Sequence, residues 1–208
     1  MYDFSNEQEQ TSMNYGPVPS GSCVILSMTV LEAAQTVVPS DQYITQARSG
    51  LMQIRCQFEV AQGSYQGVKF FQGITLPAGM QRINLTAGQA KACGIGGSQI
   101  KAICQSANKK PTIKSFGDMN GWKFAARLRL NKQPSEKEGR VYWHNEIDRI
   151  IVPTDAEYNQ IKQSGEIINE GGAVSMGNYQ PDGGYDPGYV EREPAFPQDA
   201  AGIDDCPF

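Results

Sequence analysis

Alternation of apolar and polar residues predicts β-strands over much of the chain between residues 23 and 152. The clearest case is the segment 51–61, where every second residue from Met52 to Val60 is apolar and the residues between them are polar. Successive side chains of a strand point to opposite faces of its sheet, so one face is predicted to pack in a core and the other to meet solvent. The same alternation predicts four further strands, at 23–31, 68–76, 122–131 and 140–152.

Two helices are predicted between the third and the fourth of these strands. Apolar residues of the segment 98–107 recur at the spacing i, i+3, i+4, which places them on one face of a helix. The segment 86–93 is also compatible with a helix. The glycine-rich run 94–98 is predicted to break the chain between the two helices.

The connections are polar or interrupted by proline. The segments 32–50 and 132–139 have no sustained period and are predicted to be loops. After the last strand, Thr154 is followed three residues later by Glu157, a spacing that matches a capping box and predicts a short helix there.

The order strand, strand, strand, helix, strand, strand is typical of the oligonucleotide-binding (OB) fold. We therefore predict a mainly β domain at residues 16–165. It would be a five-stranded OB Greek-key barrel with a helical insertion between strands 3 and 4. Residues 1–15 are polar and are predicted to form a flexible N-terminal arm.

The end of the chain has a different composition. Residues 171–208 contain seven glycines and five prolines and almost no aliphatic side chains. Such a segment cannot bury enough apolar surface to offset an ordering entropy of about 1–2 kcal/mol per residue. We predict a disordered acidic tail at residues 166–208.

Charge is divided unevenly along the chain. Residues 48–149 carry 16 Lys and Arg against 6 Asp and Glu, whereas residues 161–208 carry 2 against 9. A basic body with an acidic tail is typical of a protein whose body binds a polyanion and whose tail competes for the same surface. The alternative is that the mixed charge only keeps the protein in solution.

Cysteine and histidine usage predicts neither a metal site, nor a disulfide framework, nor a cofactor. The five cysteines include no C-x-x-C pair, and His144 is the only histidine. Reduced cysteines in apolar positions are the expected state. The N-terminus has no basic region followed by an apolar core, so a cytoplasmic protein without a membrane segment is expected. The cysteines are Cys23, Cys56, Cys93, Cys104 and Cys206.

Binding of single-stranded DNA requires cations that follow the phosphates and flat side chains on which bases stack. The outward positions of the predicted strands supply both. Tyr142 and Trp143 are adjacent, so only one of them can lie on a given face of a regular strand, and which one does so is left open. The candidate DNA-binding residues are Arg55, Lys69, Phe71, Lys123, Arg127, Arg129, Arg140, Tyr142 and Trp143.

The sequence gives less support to the hypothesis that the protein is an enzyme. The run 94–98 lacks the spacing and the lysine of a phosphate-binding loop, and no Ser or Cys lies in a nucleophile motif. Glu146 and Asp148 would share one face of a regular strand, and with Asp118 they form the alternative of a metal-dependent nuclease. We therefore expect that the protein is not an enzyme.

The last five residues, Asp204, Asp205, Cys206, Pro207 and Phe208, resemble the C-terminal peptide of bacterial single-stranded DNA-binding proteins, which ends Asp-Asp-x-Pro-Phe. Cys206 stands at the variable position. The resemblance implies that the tip 204–208 docks onto replication, repair or recombination proteins. Phe208 would enter an apolar pocket, and Asp204 and Asp205 would meet basic residues, with Pro207 between them.

The body also resembles small proteins of tailed phages, through the stretch 15–21 and the turn 116–121. Phage replication proteins that bind single-stranded DNA are similar in plan, with an OB barrel followed by an acidic tail ending in Phe. The resemblance implies a phage-encoded protein in the bacterial host cytoplasm that coats single strands and recruits partners through its tip. The sequence leaves the number of subunits open, and a homo-oligomer is one alternative. Two further alternatives are a mediator of strand annealing and an OB module that binds a ligand other than nucleic acid.

Overall fold

The computed structural model describes residues 16–35, 37–134 and 141–172, and every structural statement below concerns these residues. Their strands form one sheet in which all neighbouring strands are antiparallel. Two α-helices, α1 (Ala87–Ser106) and α2 (Tyr158–Ser164), pack on it. The strands are β1 (Cys23–Leu31), β2 (Ile44–Gln46), β3 (Met52–Val60), β4 (Lys69–Thr75), β5 (Lys123–Pro134), β6 (Val141–Ile151) and β7 (Glu166–Ile167).

The five longer strands follow the order β4-β3-β1-β5-β6. The short strand β2 pairs with the first residues of β3, and β7 pairs with the beginning of β1. The two strands that end this order are also joined, because the backbone N–H of Ile147 in β6 donates to Oε1 of Gln72 in β4 at 3.0 Å. Helix α1 connects β4 to β5 and lies near this junction.

The main core lies on one face of the sheet and follows from the alternation in the sequence. In β3 the apolar residues from Met52 to Val60 are buried, and the polar residues between them are half-buried on the opposite face. Phe58 is at the centre of the core, with its ring 5.5 Å from that of Phe70 and 5.9 Å from that of Phe124. Burying side chains of this size stabilises the fold by about 1.5–3 kcal/mol each. We call the opposite face of the sheet the outer face.

Helix α2 covers one end of the outer face. Its residue Ile161 is fully buried in a second, smaller cluster with Ile25 of β1 and Ala125 of β5. The hydroxyl of Tyr158 donates to the backbone carbonyl of Ser106 at 2.9 Å, which ties α2 to the end of α1. Beyond this end, the outer face of β4, β3 and β1 is not covered by α2.

The described cysteines are free and buried, which confirms that they occupy apolar positions. Burial raises the pKa of Cys56 to about 12 and also raises the pKa of Cys104. Cys206 lies outside the described residues. No helix in the described part of the chain is both long enough and apolar enough to cross a membrane.

The helical region differs from the prediction. The break at residues 94–98 was predicted wrongly, because α1 runs without interruption through its glycines. Gly96 lies where helix and sheet meet, and a methyl group there would overlap the backbone carbonyl oxygen of Thr75 in β4. Gly96 therefore lets the helix approach the strand, and the glycines of this run do not end the helix.

The loops and the end of the domain also differ from the sequence-based prediction. The segment 32–50 contains β2, in which Ile44 lies opposite Ile54. Helix α2 begins after Glu157, which makes no side-chain cap, so the capping box at Thr154 was predicted wrongly. Residues 166–172, expected in the tail, belong to the packed part, since Glu166 accepts a hydrogen bond from the backbone of Ser64 at 2.9 Å.

Candidate functional site

The exposed part of the outer face carries four of the residues that the sequence singled out. Arg55 of β3, Lys69 and Phe71 of β4 and Lys123 of β5 all point away from the main core. We call this surface the outer patch. It comprises Gln53, Arg55, Gln57 and Glu59 of β3, Lys69, Phe71, Gly73 and Thr75 of β4, Ser27, Thr29 and Leu31 of β1, and Lys123.

The strand register arranges the outer patch in rows across the sheet. One row runs from Lys69 through Glu59 and Ser27 to Lys123. The next row places Phe71 opposite Gln57, which in turn lies opposite Thr29 of β1. Since directly opposite residues on one face have Cβ atoms about 4.5–5.5 Å apart, these side chains are neighbours.

Phe71 is the apolar centre of the patch. Its neighbour Phe70 is 5% exposed in the core, whereas Phe71 is 52% exposed on the outer face. A single exposed apolar side chain is common on protein surfaces. What distinguishes Phe71 is its setting, because its ring lies on a flat strand face between polar and cationic neighbours. Such a ring presents a surface on which a planar base can stack.

The cations of the patch are largely available to a ligand. Within the described part of the chain, Arg55 and Lys123 have neither an ion pair nor a side-chain hydrogen bond. Lys69 lies 3.5 Å from Glu59, but both side chains are well exposed. An exposed pair of this kind contributes roughly 0–1 kcal/mol, so a phosphate can displace the glutamate at little cost.

Two other predicted cations are already paired. Arg127 donates to Glu157, next to α2, at 2.7 Å. Arg129 donates through two nitrogens to Oε2 of Glu146, at 2.9 and 3.1 Å. Both arginines therefore lie outside the group of free cations, although their side chains are on the outer face.

Glu146 is the centre of a polar network on the β5–β6 hairpin. Besides Arg129, it accepts from Asn131 at 2.9 Å, and Nε2 of His144 lies 3.2 Å from its Oε1. The hydrogen bond from Asn131 is the largest cause that lowers the pKa of Glu146, and Arg129 and His144 add to it against the opposing effect of burial. Nδ1 of His144 is buried and has no hydrogen-bond partner among the described residues.

The remaining predicted residues of β6 are placed differently. Trp143 lies opposite Lys132, on the same side of the sheet as Asn145 and Ile147, which is the core side. Nζ of Lys132 is 4.8 Å from the centre of a Trp143 ring. Trp143 is therefore not on the outer face with Arg55 and Phe71. Arg140, the side chain of Tyr142 and the tip residues Asp204, Asp205, Cys206, Pro207 and Phe208 lie outside the described residues.

The three carboxylates of the nuclease alternative have separate surroundings. Asp118 accepts from the backbone N–H groups of Lys114 and Ser115, at 3.0 and 3.2 Å, and so caps a short 3-10 helix. A β-bulge at Asp148 breaks the alternation of β6, so the regular strand assumed for Glu146 and Asp148 is wrong at this point. In the described ranges, no group of three or more His, Cys, Asp or Glu side chains could hold a metal ion.

Sequence reasoning missed several neutral members of the outer patch. Gln53, Gln57 and Thr29 alternate with core residues, which placed them on the polar faces of their strands, but they were not among the predicted DNA-binding residues. Gly73 was also missed, although an isolated glycine inside a strand pattern is itself a signal for a close approach to the backbone. The patch is therefore more polar and less basic than the predicted residues alone suggested.

Comparison with protein-family models, with curated proteins and with solved structures found no match to this chain.

Proposed function

We propose that this protein binds single-stranded DNA along the outer patch, without catalysing a reaction on it. The observation that carries the proposal is the position of Phe71, half exposed on a flat strand face and flanked by the unpaired cation Arg55 and the weakly paired cation Lys69. Bases stack on such rings with about 1–3 kcal/mol each, and cations beside them hold the phosphates.

The strand order supports an OB barrel as the scaffold. An OB fold has strands in the order 3-2-1-4-5 with a helix between strands 3 and 4, and β4-β3-β1-β5-β6 with α1 after β4 follows this plan. The hydrogen bond between Gln72 and Ile147 joins the two strands that would close the barrel. In OB folds the second and third strands form the face that binds oligonucleotides, and here these strands are β3 and β4.

The paired arginines have a secondary role in this proposal. Arg127 and Arg129 can contact a phosphate only by leaving Glu157 or Glu146, so each is expected to add less affinity than Arg55. Arg140, Tyr142 and Trp143 belong to or border the β5–β6 hairpin and remain candidates for contacts beyond the outer patch.

The proposed biological role follows from the resemblance at the tip. A protein that coats single strands during phage DNA replication, recombination or repair needs a way to recruit enzymes. Asp204, Asp205, Pro207 and Phe208 would provide it by docking onto them in the host cytoplasm. Deletion of residues 201–208 is expected to abolish partner binding while leaving or raising DNA affinity.

A salt titration tests the proposed activity. Fluorescence anisotropy with a labelled single-stranded oligonucleotide is recorded between 25 and about 300 mM salt, with a duplex of the same length for comparison. Each neutralised phosphate of a single strand contributes about −0.7 to the slope of log K against log salt, so three cations predict a slope near −2. Absence of binding at low salt, or binding that salt does not change, would refute the proposal.

A further inference from the structure

Gly73 lies in the middle of β4, at the centre of the outer patch. It is directly opposite Arg55, and its two neighbours on the same face of the strand are Phe71 and Thr75. The residue is exposed, and in the described part of the chain only the side chain of Gln53 from β3 approaches the place of its missing side chain.

The backbone does not require glycine at this position. Gly73 is not among the described residues with a positive φ, and the register between β3 and β4 continues through it without a bulge. A methyl group at Gly73 would approach only the side chain of Gln53, whose Oε1 would be 2.7 Å away. That amide is the far end of a flexible side chain and can move aside.

Glycine at this position has an energetic cost. Inside a strand, glycine is less favourable than alanine, because it loses more backbone freedom on folding. Gly96 of α1 is a useful contrast, since a methyl group there would overlap the backbone of Thr75. Helix packing thus explains Gly96, whereas no backbone of the described chain approaches Gly73 in this way. A glycine inside a strand often marks a bulge, a tight bend or close approach of a ligand or another backbone, and the register of β4 shows no bulge here.

The missing side chain leaves a notch beside the ring of Phe71. We define the notch by Phe71 and Thr75 on either side, Gly73 as its floor and Arg55 from β3 at its edge. The amide of Gln53 lies over this floor, since its Oε1 is 2.7 Å from the place of a Cβ at Gly73, and it must swing aside to admit a base. Residues 71 and 75 are four positions apart, which is about 13 Å along a strand. An aromatic ring and one planar base fit side by side over that distance.

We propose that one unstacked nucleobase lies over the backbone of Gly73, packed against the ring of Phe71. Gln53 offers an amide donor and an acceptor to the polar edge of the base, and Arg55 offers donors to the base or to the adjoining phosphate. This inference rests on the proposed binding of single-stranded DNA and adds to it the place that a base occupies.

The test compares Gly73→Val and Gly73→Ala with the parent protein. Valine suits a strand better than glycine, so Gly73→Val is expected to raise the melting temperature. It should nevertheless weaken binding of a single-stranded oligonucleotide about tenfold or more, with Gly73→Ala in between. The slope of log K against log salt should stay the same, because no cation is removed.

Gly94→Ala is the matched control. Gly94 is exposed on α1, and a methyl group there meets nothing within 4 Å. It should also raise the melting temperature, with unchanged DNA affinity. If Gly73→Val binds as tightly as the parent protein, or if it melts at a lower temperature, the proposed base site over Gly73 is wrong. The proposed binding of single-stranded DNA would not be affected by that result. If the parent protein does not bind, the proposed function has failed instead.

Discussion

Gly96 of α1 lies directly against the backbone carbonyl of Thr75 in β4, with no room for a side chain between them. This contact fixes the helix on the strand that also carries Phe71 and Gly73.

Two of the glycines of α1, Gly94 and Gly96, predict opposite effects of substitution by alanine. Gly94→Ala should stabilise the protein by about 1 kcal/mol, because alanine favours a helix over glycine. Gly96→Ala should destabilise it by about 1–3 kcal/mol, since the methyl group forces helix and strand apart. Denaturant unfolding of both variants measures these changes in the free energy of unfolding. Stabilisation by both would show that the helix does not approach β4 as described.

Glu146 predicts a pH dependence of stability. Because its folded pKa is lowered, its contribution is present above the ordinary glutamate pKa of about 4.3 and is lost as the pH falls towards the folded pKa. Glu146→Gln should reduce the free energy of unfolding by about 1–2 kcal/mol at pH 7, as expected for loss of charged hydrogen bonds.

In Glu146→Gln, the melting temperature should fall less steeply with decreasing pH than it does in the parent protein. Melting temperatures of both proteins are recorded from pH 7 to pH 3, and the difference between them should shrink as the pH falls. A difference that stays constant over this range would mean that Glu146 does not titrate with a lowered pKa.

Pattern alone was sufficient for β3 and β4. The alternation in β3 separated Phe58 in the core from Arg55 on the outer face, and the same reasoning placed Phe70 inside and Phe71 outside in β4. Because these strands are buried on one face only, a shift of register by one residue would expose the whole core, so the period fixes the face.

The sequence pattern did not predict long-range side-chain partners or irregular backbone. Nothing in the pattern shows that Arg127 meets Glu157, thirty positions later in the chain. The bulge at Asp148 interrupts the alternation of inward and outward side chains in β6. The faces assigned from one end of that strand are therefore wrong at the other end. A strand of three residues such as β2 has no period to detect.

The ion pairs of the arginines predict unequal roles in DNA binding. Arg55→Gln should reduce affinity and make the slope of log K against log salt shallower by about 0.7, the amount for one phosphate contact on a single strand. Arg127→Gln should change the slope less, because Glu157 already neutralises the guanidinium. Equal effects of the two substitutions on the salt slope would contradict this assignment.

The most direct test of the account compares two apolar side chains of nearly equal exposure on different surfaces. Phe71 is 52% exposed in the outer patch, and Ile95 is 54% exposed on α1. Affinity for a single-stranded oligonucleotide is measured for Phe71→Ala and Ile95→Ala at one salt concentration. We predict that Phe71→Ala weakens binding by about 5- to 150-fold, the value of one stacked base, while Ile95→Ala leaves it unchanged. Parent-like binding by Phe71→Ala, or equal losses in both variants, would contradict the claim that DNA lies across the outer patch.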